Sequence, residues 1–215
     1  MPHPGDLILA CRMLEDEVAL AMKNSDCTLP VVWLERGLHE NPAKLRKELL
    51  RQIEKHAEAA VILLTFSLCG NAMIGVGSGT SRLVIPRFHD CIQMGLSLEQ
   101  GKEPLMDIYT FYVTRGWLRG DSSIMASLKR TSLKYGRERA LRIYREGIYK
   151  NYQSVTTLDT GAYPLEEIRV EAEVLADELD LCLKSCPGSI RILEKLFTGK
   201  WDDEFCIVEP GSSFA

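Results

Sequence analysis

The chain has 215 residues, of which 46% are hydrophobic and 26% are charged, and its formal net charge is −4. This size and composition predict one α/β domain or two small lobes around a substantial core. The acidic balance argues against a nucleic-acid-binding protein, because little positive charge is left over to neutralise phosphates. No segment approaches the ~20 apolar residues of a transmembrane helix, and the apolar run near the N-terminus is too short for a signal peptide. We therefore expect a cytoplasmic protein without a membrane partner.

The N-terminal half alternates between segments typical of strands and segments typical of helices. Short apolar runs predict the strands, and apolar residues three or four positions apart predict the helices. The predicted strands lie at residues 7–10, 31–34, 60–66 and 83–86, and the predicted helices at residues 14–22, 42–58 and 91–98. This order is typical of a parallel sheet covered by helices.

The second half repeats the alternation after a polar segment at residues 95–104, which is the best candidate for a linker. Strands are predicted at residues 108–114, 155–159 and 205–208, and helical segments at residues 122–151, 164–181 and 188–197. The sequence therefore predicts an α/β fold of two Rossmann-like lobes with largely parallel sheets and a cleft between them. The expected lobes are residues 1–100, which carry a Cys/His site, and residues 105–215.

Three cysteines and a histidine follow predicted strands, at the positions where α/β proteins commonly place ligand sites. Cys11 follows the first strand, Cys69 follows the third, and His89 and Cys91 follow the fourth. Cys sulfur and His nitrogen are ligands that zinc prefers, so these four residues predict a zinc-type site, open to another transition metal. A helix N-terminus at Cys91 is also expected to lower the pKa of its thiol.

Two further residues of this predicted edge are candidate catalytic groups. Asp90 could orient His89 or accept a proton, and His39, after the second strand, could support a metal ligand. The alternative is that the cysteines only pack, since cysteine is among the most buried residue types and no Cys-x-x-Cys pair is present.

A glycine-rich stretch at residues 69–81 follows the third strand. It lacks the Gly-Lys-Ser/Thr end of a P-loop and the third glycine of the dinucleotide fingerprint. We expect Gly70, Asn71, Gly75 and Gly77 to form one wall of the cleft and to bind substrate through the backbone. The alternative is a tight connection between two strands.

Two other parts of the sequence carry basic residues that could bind a substrate or a partner. Arg115, which follows the strand predicted at 108–114, could face the cleft and bind an anionic part of the substrate. The basic run at residues 129–145 is either a partner-binding face or the solvated face of a helix. Two lobes with an exposed basic helix would suit a homodimer.

Several pieces of the sequence, spread over nearly the whole chain, are specific enough to compare with known families. They are Ala10-Cys11, Gly37-Leu38-His39, Cys69-Gly70-Asn71, Pro86-Arg87, His89-Asp90-Cys91, Thr114-Arg115-Gly116-Trp117 and Gly199-Lys200-Trp201-Asp202. In these pieces the chain resembles the DUF1638 family of uncharacterised prokaryotic proteins. Its members are often associated with genes for corrinoid-dependent methyl transfer, so the resemblance implies a role near that chemistry. Zinc methyltransferases that act on corrinoids offer a weaker, chemical likeness, because they use His-x-Cys and a distant Cys.

These observations lead to one expectation and two rivals. We expect a metal-dependent enzyme of methyl-group or one-carbon metabolism, whose metal activates a thiol or water toward a small-molecule substrate. The first rival is a non-catalytic accessory protein that binds a metal, a corrinoid or a corrinoid protein. The second is a protein whose thiols only pack and whose cleft binds a small molecule without metal.

Overall fold

A computed structural model describes residues 5–215, and within them the strands form two sheets. The larger sheet has five strands in the order β2-β1-β3-β4-β8, and the smaller has three in the order β5-β6-β7. The strands are β1 (Leu7–Cys11), β2 (Val31–Leu34), β3 (Val61–Leu64), β4 (Arg82–Pro86), β5 (Thr110–Val113), β6 (Ser154–Asp159), β7 (Cys182–Pro187) and β8 (Phe205–Val208). All neighbours pair in parallel except β8, which runs antiparallel to β4. The predicted α/β class with largely parallel sheets is confirmed.

The helices cover these sheets. They are α1 (Glu15–Asn24), α2 (Pro42–Lys55), α3 (Cys91–Leu96), α4 (Arg115–Leu118), α5 (Ile124–Tyr135), α6 (Arg137–Arg142), α7 (Glu166–Leu179) and α8 (Arg191–Thr198). Short 3₁₀ turns lie at Arg12–Leu14 and Leu38–Glu40, and a π-helical turn lies at Ile143–Ile148. Within residues 5–215, no helix has the length and apolar character needed to cross a membrane.

Strand β1 shows why the larger sheet needs helices on both faces. Its side chains alternate, so Leu9 packs on the side of α2 while Ile8 packs on the side of α1 and α8. Both are fully buried. A parallel strand buried on both faces reads as a continuous apolar run, which is the pattern of residues 7–10.

The smaller sheet carries α7 on one face through a stripe of buried residues, namely Ile168, Ala172, Leu175 and Leu179. The single helical segment predicted at 122–151 is wrong in its middle, because Gly136 adopts a φ of +81° and separates α5 from α6. Strand β7 was not predicted at all. It lies at the edge of the sheet, and most of its residues are exposed, so its sequence lacks a strand's apolar signal.

The end of the chain returns to the larger sheet. Helix α8 packs on α1, and β8 pairs with β4. Arg191 of α8 and Glu204, next to β8, form an ion pair at 2.7 Å that joins these last two elements. Both ends of the chain therefore build the larger sheet, although the predicted division into residues 1–100 and 105–215 stays a prediction. The cleft between two lobes also stays a prediction.

Candidate functional site

The carboxyl ends of β1, β3 and β4 lie side by side, and each is followed by a cysteine. Cys11 is the last residue of β1, Cys69 lies beyond β3, and Cys91 begins α3 after β4. Hydrogen bonds continue the pairing beyond the strands: Cys69 N donates to the carbonyl of His89 at 3.0 Å, and Cys11 N donates to Thr65 Oγ1 at 3.1 Å. We call Cys11, Cys69 and Cys91 the thiol cluster.

Burial and mutual repulsion keep the thiol cluster protonated at neutral pH. Burial raises the pKa of Cys11 to about 11. Burial, and then the neighbouring Cys11, raise the pKa of Cys69 to about 12. Burial, and then Cys69 and Cys11, raise the pKa of Cys91 well above its ordinary value. The prediction of a lowered pKa for Cys91 is therefore wrong, because the loss of hydration outweighs the short helix that this residue begins.

His89 differs from the thiol cluster in its surroundings. Its side chain is exposed, and its backbone makes the local contacts: the carbonyl accepts from Cys69 N, and its N–H donates to Gln93 Oε1 at 2.7 Å. Over residues 5–215, no three His, Cys, Asp or Glu side chains stand as a group that could hold a metal ion. The four-residue ligand set of Cys11, Cys69, His89 and Cys91 stays a prediction.

The turn that carries Cys69 has an unusual backbone. Cys69, Gly70 and Asn71 have φ values of +45°, +65° and +68°, so three consecutive residues are left-handed. Such conformations are costly for residues other than glycine and are concentrated at functional sites. Arg46 of α2 stabilises the turn by donating to the carbonyl of Asn71 at 2.8 Å and to that of Ala72 at 3.2 Å.

A pocket of about 280 Å³ opens beside the thiol cluster, and we call it the aromatic pocket. Its lining comprises His39, Cys69, Gly70, Asp90, Cys91, Ile92, Met106, Thr110, Phe111, Tyr112, Trp117 and Tyr152. The pocket is thus lined from the larger sheet's carboxyl edge and from the region of β5 and α4. None of these residues is a lysine or arginine.

Aromatic rings form one wall of this pocket. The rings of His39 and Trp117 lie 4.8 Å apart between centroids, at 52° to each other. Phe111 meets Trp117 at 88° and Tyr152 at 69°, with centroids 6.1 and 5.6 Å apart. Burial lowers the pKa of His39, so its imidazole is neutral at pH 7. Phe111 also meets Tyr149, which lies outside the lining, at 76° with centroids 5.2 Å apart, so these rings form one packed aromatic cluster beside the pocket.

The structure gathers some of the predicted site residues and places others elsewhere. Cys69, Gly70, Asp90, Cys91 and His39 line the aromatic pocket together. Cys11 and Asn71 lie next to lining residues without lining the pocket themselves.

Gly75 and Gly77 belong to a different contact. Gly75 N donates to the carbonyl of Phe214 at 2.8 Å, and Gly77 lies against the backbone of Ser212 and Ser213. This part of the glycine loop binds the chain's own C-terminal segment. That Gly75 and Gly77 bind substrate stays a prediction.

Arg115 is also placed differently from the expectation. Its guanidinium pairs with Asp16 of α1 and with Glu167 of α7, the latter at 2.8 Å, and lies over the ring of Tyr163 at 4.9 Å. With both carboxylates engaged and no place in the lining of the aromatic pocket, Arg115 is a structural link between helices. That Arg115 binds an anionic part of the substrate stays a prediction.

Sequence reasoning missed two features of the site. The first is the ring wall: Phe111 and Tyr112 lie in the strand predicted at residues 108–114, but neither they nor Tyr152 is predicted as a site residue. The second feature is Glu17 of α1, whose charge acts on Cys91 to raise the pKa of that thiol. Glu17 is 3% exposed and has an Oε2 without a hydrogen-bond partner. Burial raises its pKa to about 7, although Thr160 Oγ1 donates to its Oε1 at 3.2 Å. The helical position of Glu17 gave no signal, because an acidic first turn is ordinary.

The fold and this site define an α/β protein with half-buried thiols and an aromatic pocket at the carboxyl edge of a parallel sheet. The profile of the DUF1638 family, described as "Protein of unknown function (DUF1638)", matches residues 33–197, which is more than half of the chain. The chain belongs to the DUF1638 family, as the resemblance implied. Comparison with curated proteins and with solved structures gives no match.

Proposed function

We propose that this protein is a metal-dependent enzyme of methyl-group or one-carbon metabolism, with a zinc-type ion held by the thiol cluster. The ion would activate a thiol or a water toward a small substrate in the aromatic pocket. The observation that carries the proposal is that Cys11, Cys69 and Cys91 follow three adjacent strands at one edge of the sheet. Of these cysteines, Cys69 and Cys91 line that pocket.

The chemistry of the donors fits a soft cation. Three thiols that repel one another as thiolates are stabilised as thiolates by a bound divalent ion, which releases their protons. Because no three donor side chains of residues 5–215 are grouped for a metal as they stand, binding requires the cysteine side chains to turn toward a common centre. The left-handed turn at Cys69 lies at the place where such an adjustment would occur.

The number of protein ligands on the metal ion distinguishes the proposed enzyme from the alternative, a non-catalytic accessory protein. A structural site is closed by four protein ligands, whereas a catalytic site keeps one position for water or substrate. His89 is exposed whereas the three cysteines are half-buried, which favours three cysteine ligands and an open fourth position.

Two residues of the pocket can move protons for the reaction. The neutral imidazole of His39 can accept a proton, and the carboxylate of Asp90 lies on the same pocket wall as Cys91. Asp90 Oδ1 already accepts from Gln93 N at 2.8 Å, which fixes the carboxylate at the start of α3.

The size of the pocket determines whether a corrinoid could bind inside it. At about 280 Å³, the pocket lies at the lower end of the range for ligand sites and suits a small substrate. A whole corrinoid does not fit inside it. Under the proposal, a corrinoid would therefore be presented at the mouth of the pocket by a partner protein.

Elemental analysis of protein purified without oxygen tests the proposal. We expect about one zinc or iron ion per chain in the wild type, and its loss in Cys91→Ser. Cys27→Ser is the matched control, since Cys27 is also half-buried but lies outside the thiol cluster, and it should retain the ion. Circular dichroism checks that each variant is folded. A wild type that takes up no metal on reconstitution, or an unchanged metal content in Cys91→Ser, would overturn the proposal.

A further inference from the structure

Five aromatic side chains line the aromatic pocket, namely His39, Phe111, Tyr112, Trp117 and Tyr152. Phe111 is nearly perpendicular to Trp117, and His39 is tilted by 52° to the same Trp117 ring. Tyr152 adds a further inclined ring beside Phe111. Aromatic residues that line a pocket can offer π faces to a ligand, and π faces carry negative electrostatic potential.

The charged residues in the lining of the pocket also favour a cationic ligand. Asp90 is its one carboxylate, and no lysine or arginine is among the lining residues. Asp90 Oδ1 accepts from Gln93 N, and within residues 5–215 no cationic side chain forms an ion pair with Asp90. An anionic ligand would be repelled, and a neutral apolar ligand would strip water from a carboxylate and give it no partner.

We propose that the aromatic pocket binds a small organic cation of the quaternary ammonium type, such as a trimethylammonium group. Aromatic cages with a nearby carboxylate recognise such cations because the charge is spread over methyl groups that need no hydrogen bonds. The inference deepens the proposed function, since it names the substrate class for a site beside the thiol cluster. Binding of the cation itself depends on the rings and on Asp90 and does not require the metal.

Isothermal titration of the full-length protein with choline and with 3,3-dimethylbutan-1-ol tests this inference. The two ligands have nearly the same shape, but a carbon atom replaces the charged nitrogen in the second. We expect choline to bind more tightly by at least about tenfold, which is the effect of one favourable cation–π contact in a partly desolvated site. Equal binding of the two ligands, or no binding of choline, would overturn the proposal.

Substitutions of the lining residues test whether choline binds in the aromatic pocket. Trp117→Leu and Tyr152→Leu should each weaken choline binding, and Asp90→Asn should reduce the preference for choline while keeping the cap on Gln93 N. Tyr135→Leu is the control, since Tyr135 is an exposed aromatic residue outside this pocket. Unchanged choline binding in both Trp117→Leu and Tyr152→Leu would contradict the assignment.

Metal content, measured on the same samples, keeps this test separate from that of the proposed function. Metal without a preference for choline overturns the cation site alone. A preference for choline in protein that takes up no metal overturns the metal-dependent enzyme alone.

Discussion

The Nε of Arg115 donates to Oδ2 of Asp16 at 2.7 Å, and this pair joins α4, which follows the smaller sheet's first strand, to α1 on the larger sheet. Both side chains are about three-quarters or more buried, and Glu167 of α7 completes the arrangement. The carboxylates raise the pKa of Arg115, so the guanidinium stays charged at all relevant pH values. A residue that the sequence suggested for substrate binding therefore serves to hold elements of the two sheets together.

Arg115→Met should destabilise the fold without affecting choline binding. Removal of one partner leaves Asp16 partly buried without its charge partner, which costs about 2 kcal/mol in free energy of unfolding. Urea denaturation measures the loss. Arg169→Met is a matched control, because the pair of Arg169 with Glu173 is an exposed pair within one helix and should contribute little. Equal stabilities of the two variants would contradict the role given to Arg115.

Gly116→Ala should disrupt the contact between α4 and the 3₁₀ turn at Arg12–Leu14. A Cβ at this position would fall against the backbone carbonyl oxygen of Met13, which cannot move as a side chain does. The expected loss is on the order of 3 kcal/mol in free energy of unfolding, at the upper end for overpacking. Gly147→Ala, where an added Cβ meets nothing within 4 Å, is the control and should be close to neutral or slightly stabilising. A wild-type melting temperature for Gly116→Ala would show that this contact is not close.

Glu17 should make the stability of the protein depend on pH. Its pKa is raised to about 7 in the folded state by burial, so the folded protein binds this proton more tightly than the unfolded chain does. The free energy of unfolding should fall as pH rises from about 4.5 to about 7, by on the order of 3 kcal/mol from this group. Glu17→Gln cannot titrate, and the difference between wild type and variant over this pH range isolates the effect. Parallel stability curves would contradict the burial of an ionisable Glu17.

The thiol cluster should be slow to react in metal-free protein at neutral pH. The thiolate is the reactive form, and the pKa of Cys11 is raised to about 11 and that of Cys69 to about 12. With Ellman's reagent, we expect the exposed Cys182 to react first and the cluster thiols to react at least about a hundredfold more slowly. Mass spectrometry of the labelled peptides identifies the order. Early labelling of Cys91 would indicate a reactive nucleophile in place of a buried metal ligand.

Much of the larger sheet could be predicted because its strands are short apolar runs that end at polar residues. The strands at 31–34 and 205–208 are confirmed to the residue. Strand β7 could not be predicted in the same way, because an edge strand with an exposed face has no need of apolar residues. The break at Gly136 depends on a single positive φ, which the charged and apolar residues around it do not reveal.

Only part of the candidate site could be predicted from the sequence. Cys69 and Cys91 could be placed near each other from the rule that parallel strands end at one edge, and the structure brings them to one pocket. The positions of Tyr152 and Trp117 in the pocket could not be predicted, because these residues reach it from segments far along the chain. The direction of the shift in the Cys91 pKa also depends on tertiary burial, which the position of Cys91 at a helix start does not indicate.

X-ray absorption at the zinc edge of the reconstituted protein tests whether the thiol cluster holds a catalytic metal ion. We expect three sulfur atoms at about 2.3 Å from the ion and one oxygen or nitrogen ligand that exchanges when a small thiol is added. An ion without sulfur ligands, or one closed by four protein ligands that do not exchange, would contradict a catalytic centre built on Cys11, Cys69 and Cys91.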